Sequence, residues 1–298
     1  TLREIVDWKE IDKALSQALG KPFRVRAAQP LGGGCINESF LLEGTSAKLF
    51  LKRNRAELLP MFEAEAAGLE EIRKSGTLRV PAPIATGTDA YGSWLALELI
   101  AFGAPSPETS TLLGERLAAM HRCTTPEFGW SRNNHIGTTA QVNSWTDDWV
   151  GFFAGQRLTP QLKLAAENGA CPGLVSAGER LIERLPVFFH NYQPAASMLH
   201  GDLWAGNWAA DSRGEPVIFD PAVYFGDREA DLAMTELFGG FDDRFYQSYR
   251  GCWDIDPGYT TRRVLYNLYH VLNHFNLFGG GYADQARDMI DRLNAETG

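Results

Sequence analysis

The sequence has little cysteine and no long apolar run, and both absences narrow the class of protein. Its four cysteines, at positions 35, 123, 171 and 252, are scattered without a CxxC pair. That usage fits a reducing compartment and argues against a zinc site. No stretch approaches the ~18 uninterrupted apolar residues of a membrane span, and the sequence starts with a charged, amphipathic segment rather than a signal peptide. We therefore expect a cytoplasmic protein with no membrane partner.

Basic residues are also scarce. The chain has 28 Lys+Arg against 37 Asp+Glu, a formal net charge of -9, so a polyphosphate backbone would be repelled on average and nucleic acid is not an expected partner. Repeats and low-complexity segments are lacking as well, and a hydrophobic content of 44% indicates a sizeable core. Because the 298 residues exceed the ~250 at which single cores tend to split, we expect two lobes with a cleft between them.

Strand patterns dominate the first hundred residues and helix patterns dominate the rest. Five segments alternate partly between apolar and polar residues, namely FRVRAAQ, NESFLLEG, AKLFLKRN, VPAPIATGT and SWLALELIA. One helix, over about residues 61–74, interrupts them, and helical spacing takes over after AFGAPSPET. The prediction is an α+β fold with an N-terminal lobe over 1–100, built from an antiparallel five-stranded sheet plus one helix, and a mainly helical lobe over 101–298.

The segment HGDLWAGN, positions 200–207, has the spacing of a kinase catalytic loop. In such a loop the aspartate, which is Asp202 in this sequence, accepts the proton of a substrate hydroxyl, and the asparagine, Asn207, binds magnesium. Asp220 follows a short apolar run and is the predicted second ligand. One carboxylate and one amide suffice because Mg²⁺ keeps waters and substrate phosphates in its shell. An isolated DxxxxN is usually a turn, but the flanking apolar strands and Asp220 favour catalysis.

Weaker signals lie where an ATP site would need them. Gly32, Gly33 and Gly34 stand at a turn between two predicted strands, where missing side chains let backbone N–H groups approach phosphate oxygens. Any hairpin can carry such glycines, so they support an ATP site without defining it. From their order along the chain, the backbones of Glu98 and Ile100 are predicted to face the adenine.

Lys52 ends the strand pattern KLFLK and needs a carboxylate partner to be more than a solvated side chain. The helix that follows has apolar residues at helical spacing, namely Phe62, Ala66, Leu69 and Ile72. Glu65 falls within that apolar face. Because a charge is rarely placed on a core face unless it is paired, we predict a Lys52–Glu65 ion pair that aims the ammonium at phosphates.

The chain resembles the bilobal protein-kinase-like fold of small-molecule kinases in the order of its features. They are the glycine turn, Lys52, Glu65, a hinge at residues 98–100, the catalytic loop and Asp220. More specific segments resemble the fructosamine kinase (ketosamine-3-kinase) family over about residues 11–277. They are LGGGCINES, FEAEAAGL, FGWSRNNHIGTTAQVNSWTDDWVGFFAGQRLTPQLKLA, HGDLWAGN and DPAVYFGDREADLAMTELFGGF.

The resemblance implies ATP- and Mg²⁺-dependent phosphorylation of the 3-hydroxyl of fructosamines or ribulosamines, carried by metabolites or by glycated protein lysines. The product decomposes and releases the amine, which is a deglycation activity. Carried over by position, the family's roles make Asp202 the base, Asn207 and Asp220 the magnesium ligands, and Lys52 with Glu65 the phosphate anchor. The glycines at 32–34 become the phosphate loop.

Three residues remain with two interpretations each. Trp204 could stack on the sugar ring or pack against the helical lobe. Asp231 could contact a substrate amine, or its carboxylate could stabilise the first turn of a helix. Cys35, beside the glycines and Lys52, could be a redox-sensitive thiol that joins two molecules, or a small packing residue. The sequence does not determine the oligomeric state: the expectation is a monomer, with a dimer as the alternative.

Two other functions remain as alternatives. An aminoglycoside- or choline-type phosphotransferase shares the catalytic loop but does not account for NNHIGTTAQVNSW. A non-catalytic nucleotide-binding or redox-sensing module is expected to have lost Asp202, Asn207 or Asp220, and the sequence retains all three.

Overall fold

A computed structural model describes residues 7–32 and 36–297, and the chain divides into two compact units. The N-terminal unit falls within Thr1–Ala104 and Ala209–Asp220, and the C-terminal unit within Pro105–Trp208 and Pro221–Gly298. Their main elements are given below in chain order, and each unit is then described by itself.

The helices are α1 (Lys9–Leu19), α2 (Leu59–Ser75), α3 (Pro107–His121), α4 (Trp149–Phe153), α5 (Thr159–Glu167), α6 (Pro172–Glu183), α7 (Glu229–Leu237), α8 (Asp243–Cys252), α9 (Tyr259–Phe278) and α10 (Tyr282–Glu296). A π-helical segment, Ala154–Leu158, joins α4 to α5, and short 3-10 turns cover Ala56–Leu58, Leu185–Phe189 and Ala205–Asn207.

The strands are β1 (Val25–Leu31), β2 (Glu38–Gly44), β3 (Lys48–Asn54), β4 (Pro83–Asp89), β5 (Gly92–Glu98), β6 (Phe102–Gly103), β7 (Thr124–Thr125), β8 (Asn134–Ile136), β9 (Thr139–Gln141), β10 (Ala196–Leu199), β11 (Trp208–Asp211), β12 (Pro216–Ile218) and β13 (Tyr224–Gly226).

The N-terminal unit is built on the predicted five-stranded sheet, whose order is β1-β2-β3-β5-β4. All four pairings are antiparallel. On β3, Leu49 and Leu51 are buried at period two, as expected for a strand with one face on a core. The predicted helix over 61–74 is α2, which ends at Gly76 in the left-handed conformation with φ 67°.

A second helix, α1, corrects the prediction of one helix in this part of the chain. Ile11 and Leu15, four residues apart on α1, are fully buried and pack into a core with Leu42 and Trp94 of the sheet. The helix ends at Gly20, with φ 65°. It is short, with two fully buried positions among charged residues, so its pattern was too weak to stand out as an element.

The segment Ala209–Asp220 also differs from the predicted division at residue 100. It belongs to the N-terminal unit, because β11 pairs antiparallel with β6 and the Ile218 N–H donates to the Arg79 carbonyl at 3.0 Å. Asp220 therefore shares a compact unit with Lys52 and Glu65. Pairing between strands about a hundred positions apart leaves no local pattern in the sequence.

The C-terminal unit is mainly helical, as predicted. Its longest helix, α9, packs against α5, α7 and α10, and α3 packs against α8. A three-stranded sheet of order β13-β10-β7 and the hairpin β8–β9 complete it. Within the residues that the structure describes, no helix is both long and apolar enough to cross a bilayer.

Candidate active site

In the N-terminal unit, Lys52 lies between two carboxylates. Its Nζ is 2.6 Å from Glu65 Oε1 on α2 and 2.5 Å from Asp220 Oδ1. The side chains of Lys52 and Glu65 are nearly buried, whereas that of Asp220 is about half exposed. The structure thus contains the predicted Lys52–Glu65 pair and adds a contact with Asp220 that the sequence did not indicate.

These neighbours determine the charges of the cluster. Burial acts to lower the pKa of Lys52, but the carboxylates of Asp220 and Glu65 outweigh it and raise the pKa, so the ammonium is charged at neutral pH. Burial raises the pKa of Glu65, and the attraction of Lys52 opposes that rise. Lys52 therefore stabilises the ionised form of Glu65, which burial disfavours. Because Lys52 engages Oδ1 of Asp220, Oδ2 is the oxygen of that carboxylate suited to a cation.

The backbone of Asp220 is unusual. Among the described residues it is the one non-glycine with a positive φ, at 56°. Side chains disfavour this left-handed conformation, although aspartate tolerates it better than most. It directly follows the buried strand β12 and Phe219. A strained conformation kept at the end of a strand is typical of a functional position.

The predicted hinge follows β5. The Glu98 N–H donates to the Ala82 carbonyl at 2.9 Å, and the Glu98 carboxylate accepts from Arg79 Nη2 at 2.8 Å and from the Ala82 N–H at 3.2 Å. The amide of Glu98 is therefore used within the protein, and the adenine contact of its backbone stays a prediction. Ile100 is half-buried, two residues after the end of β5, and its adenine contact stays a prediction.

The glycine turn is described only in part. Gly32 directly follows β1, whereas three predicted residues lie outside the described residues, namely Gly33, Gly34 and Cys35. On the far side of the turn, Asn54 Nδ2 donates to the Ile36 carbonyl at 2.9 Å and to Asn37 Oδ1 at 2.7 Å. The turn is thus joined to the end of β3, two positions after Lys52. Its phosphate-binding role and the redox role of the thiol stay predictions.

In the C-terminal unit, β10 leads into the catalytic loop. Asn207 Nδ2 donates to the Asp202 carbonyl at 2.8 Å and to Asp202 Oδ2 at 3.2 Å, and Asn207 is buried. The amide nitrogen therefore holds Asp202 in place, which makes Oδ1 of Asn207 the atom suited to a cation. The sequence prediction paired these two residues, and the structure joins them directly.

Asp231, on the first turn of α7, anchors the same loop by hydrogen bonds to its backbone. Its carboxylate accepts from the His200 N–H at 2.7 Å and from the Gly201 N–H at 2.9 Å, and only 1% of the residue is exposed. This corrects the predicted contact with a substrate amine, because the carboxylate is buried and occupied. Burial acts to raise the pKa of Asp231, but hydrogen bonds from His121 and the loop backbone outweigh it and lower the pKa.

Three side chains that the sequence analysis missed support Asp231. His121 Nε2, at the end of α3, donates to the Asp231 carboxylate at 3.0 Å, and its Nδ1 lies 2.7 Å from the hydroxyl of Tyr249 on α8. Arg228 Nη1 donates to that hydroxyl at 3.1 Å. The one available signal in the sequence was His121 at the end of the mostly apolar run AAMH, and a histidine in such a run is more typical of packing than of a functional site.

The chain after Asp220 is joined to the catalytic loop. The Ala222 N–H donates to the His200 carbonyl at 2.8 Å, and the Asp202 N–H donates to His200 Nδ1 at 3.2 Å. Gly201 has φ 84°, and a Cβ there would meet the Ala222 carbonyl oxygen at 2.1 Å. Only glycine therefore allows the two segments to approach this closely.

A network of buried amide side chains from the segment NNHIGTTAQVNSW holds the backbone that follows Asp220. Asn134 Nδ2 donates to the Val223 carbonyl at 2.7 Å, and Asn134 Oδ1 accepts from Gln141 Nε2 at 2.8 Å and Asn143 Nδ2 at 2.9 Å. Arg157 Nη2 in turn donates to Asn143 Oδ1 at 2.6 Å. The segment NNHIGTTAQVNSW thus supports the backbone that follows Asp220.

Trp204 lies inside the catalytic loop with its indole partly exposed. Its ring meets Phe238 edge-on, with centroids 6.1 Å apart. A Cβ at Gly206 would lie 2.2 Å from the indole, so a glycine is required under the ring. The exposed part of the indole is the part available to a sugar, and the predicted stacking stays a prediction.

Each unit offers one hard oxygen of the kind that magnesium prefers, Oδ2 of Asp220 and Oδ1 of Asn207. Within the described part of the chain, no group of three or more His, Cys, Asp or Glu is arranged to hold a metal ion. The chemistry of each oxygen suits magnesium taken separately, and the predicted magnesium site stays a prediction.

The sequence is similar to proteins that are named as kinases of ketosamines. The Synechocystis sp. protein named "Probable ketoamine kinase slr1563" is 46% identical over 287 residues, which cover 95% of each chain. The chloroplastic protein-ribulosamine 3-kinase of Arabidopsis thaliana is 41% identical over 275 residues, covering 91% of this chain and 84% of that protein.

A solved structure confirms the predicted protein-kinase-like α+β fold. It is the crystal structure of a Haemophilus somnus 129PT protein assigned as a fructosamine-3-kinase, with a TM-score of 0.89 and 27% identity, covering 96% of this chain and 97% of that one. The family model described as fructosamine kinase matches residues 7–296. With nearly its whole length matched in sequence and fold, the chain belongs to the fructosamine kinase family.

Proposed function

We propose that the protein is an ATP-dependent kinase that phosphorylates the 3-hydroxyl of ketosamines. The observation that carries the proposal is the catalytic loop, in which Asn207 holds Asp202. Asp231 accepts hydrogen bonds from two backbone N–H groups of the same loop. The family and the names of the relatives supply the substrate class.

Asp202 acts as the base in this reaction. Its carboxylate takes the proton of the 3-hydroxyl as that oxygen attacks the γ-phosphorus of ATP, and the bond to the bridging β,γ oxygen breaks so that ADP leaves. Positioning carries most of such a reaction, and the hydrogen bonds to the loop backbone provide that positioning.

Lys52 binds the phosphates. Two carboxylates hold its ammonium in a fixed direction, and the glycine turn at 32–34 adds backbone N–H groups. The backbones of Glu98 and Ile100 contact the adenine. Asn207 and Asp220 would hold a magnesium ion, which would supply positive charge against the phosphates.

The substrate is a fructosamine or ribulosamine whose sugar stacks on Trp204. Ketosamines carry a protonated amine, and a chain with net charge -9 attracts such a cation. The 3-phosphate decomposes and releases the amine, which makes the activity a deglycation. The relatives' names include both ketoamine kinase and protein-ribulosamine 3-kinase, so free and protein-bound ketosamines both belong in the test.

ATP consumption with Mg²⁺ should be measured side by side with fructosyl-lysine, ribulosyl-lysine, an aminoglycoside and choline. We expect turnover with a ketosamine and none with the other two. Turnover confined to the aminoglycoside or choline would replace the proposal with that phosphotransferase class. Nucleotide binding without turnover of any of the four would indicate a non-catalytic module.

A further inference from the structure

A row of aromatic side chains leads away from the catalytic loop. Trp204 and Phe238 have ring centroids 6.1 Å apart, and Phe238 and His274 have centroids 5.1 Å apart. His274 then contacts Phe278 at 5.7 Å and Tyr282 at 5.2 Å. These five residues, which we call the aromatic strip, come from three separate parts of the chain.

The strip is exposed where most aromatic residues of this unit are buried. The exposed fraction is 38% for Trp204, 42% for Phe238 and 53% for Phe278. In the described part of the C-terminal unit, these are three of six large apolar side chains that are exposed, and ring contacts connect all three through His274. A contiguous apolar surface of this kind is typical of a binding site, unlike apolar residues exposed singly.

Close packing fixes the end of the aromatic strip that lies beside the catalytic loop. Gly239 and Gly240, which follow Phe238, both have left-handed φ values, 72° and 89°. A Cβ at Gly240 would lie 2.4 Å from the Cβ of Ala205. The turn after α7 therefore packs directly on the catalytic loop, which keeps Phe238 beside Trp204.

The other end lies where α9 meets α10. Phe278 is the last residue of α9 and Tyr282 the first of α10. His274 Nδ1 lies 2.7 Å from the His270 carbonyl, and because a carbonyl only accepts, Nδ1 carries the proton and Nε2 is an acceptor. Burial lowers the pKa of His274, so its ring is neutral at neutral pH. The strip offers aromatic faces and no positive charge.

We propose that the outer strip, formed by Phe238, Phe278 and Tyr282 around His274, binds the peptide that flanks a glycated lysine while the sugar lies at Asp202. The inference rests on the proposed kinase function and narrows its substrate to ketosamines on polypeptides. A sugar ring covers about one aromatic side chain, and the strip continues for several rings beyond Trp204.

The chemistry of the lysine end of such a substrate matches the strip. The secondary amine is cationic and favours the faces of aromatic rings. The methylene chain and any apolar neighbour in the peptide gain by leaving water against the remaining rings. Free ketosamine-lysine carries the same amine and methylene chain but no flanking peptide, so it gains less from the outer rings than an apolar peptide does.

The test uses three substrates with the same sugar: free ketosamine-lysine, a heptapeptide with apolar residues beside the modified lysine, and the same peptide with glycines there. We expect wild-type kcat/KM to be about tenfold higher for the apolar peptide than for the glycine peptide, the size of one good apolar contact. Phe278→Ser and Phe238→Ser should each lower kcat/KM about tenfold more for the apolar peptide than for free ketosamine-lysine.

Val187→Ser is the matched control, because Val187 is 55% exposed in the same unit and lies outside the strip. It should leave kcat/KM unchanged for all three substrates. Thermal unfolding of each variant checks the fold.

The outcomes separate the two proposals. Turnover of all three substrates with equal kcat/KM, or equal losses on all three in the phenylalanine variants, would overturn the peptide site and leave the kinase function standing. If wild type phosphorylates no ketosamine at all, the kinase function fails and the peptide site falls with it.

Discussion

The two compact units hold their reactive groups in different ways. In the N-terminal unit, three charged side chains position one another, with Lys52 bonded to both Glu65 and Asp220. In the C-terminal unit, Asp202 is held through an amide and through the loop backbone, which Asp231 anchors. Charge pairing thus positions the side chain of Lys52, whereas hydrogen bonds position Asp202 and its loop.

Because the two units hold these groups differently, substitutions in them should affect activity and the free energy of unfolding to different extents. Removing one member of a buried charge cluster leaves the others uncompensated. Removing a buried acceptor leaves backbone N–H groups without a partner. Three substitutions test whether the two units respond as this contrast requires.

The largest effect is expected at the base. Asp202→Asn should lower kcat about 10³-fold, within the range that a positioned general base contributes. Asn207 can still donate to the backbone carbonyl of residue 202, so nucleotide affinity and the free energy of unfolding should change little. Steady-state kinetics and nucleotide titration measure both, and a kcat within tenfold of wild type would remove Asp202 as the base.

The next effect is expected at the charge cluster. Lys52→Met should lower the free energy of unfolding by about 3 kcal/mol, because Glu65 is left buried without its partner. It should also weaken nucleotide binding. Adding Glu65→Leu should restore much of the stability and none of the nucleotide affinity.

Urea unfolding and nucleotide titration of the single and double variants make this comparison. A double variant that regains nucleotide affinity would show that Lys52 acts on the fold alone. Asp288→Asn, an exposed carboxylate on α10, is a control that should alter neither measurement.

The smallest of the three effects is expected at the anchor. Asp231→Asn should lower the free energy of unfolding at pH 7 by about 2 kcal/mol, because an amide replaces one of the oxygens that accept from the loop. The pKa of Asp231 is lowered in the folded protein. Its contribution to stability is therefore complete above the unfolded-state pKa of about 3.9 and is lost as the pH falls through the lower folded value.

The stability difference between wild type and Asp231→Asn should accordingly shrink as the pH falls below about 4. Urea unfolding from pH 7 downwards measures it. A difference that stays constant over that range would mean that Asp231 is not ionised in its buried position.

Local spacing was enough to indicate which side chains lie together in two places. Asp202 and Asn207 are five positions apart in one loop, and the structure joins them directly. Glu65 was assigned to the inner face of α2 from the helical period alone, and it meets Lys52 there. Both predictions rest on geometry that a few neighbouring residues define.

Contacts between distant positions escaped prediction. Lys52 and Asp220 are 168 positions apart, and His121 and Asp231 are 110 positions apart. Asp231 was interpreted from its own helix turn, so its role in holding His200 and Gly201 was missed. Carboxylates at a helix start look the same in sequence whether they meet a ligand or the backbone of another loop.

The sequence by itself determined the types of side chain, their local periodicity and hence the strands, most helices and the loop that contains Asp202 and Asn207. Hydrophobic spacing is local and survives in any correct fold. Only the tertiary structure decided which charges meet, that Asp220 belongs with Lys52, and that Asp231 is an anchor. Those outcomes depend on which distant segments pack together, and burial then determines whether a polar group must be satisfied by the protein or can serve a ligand.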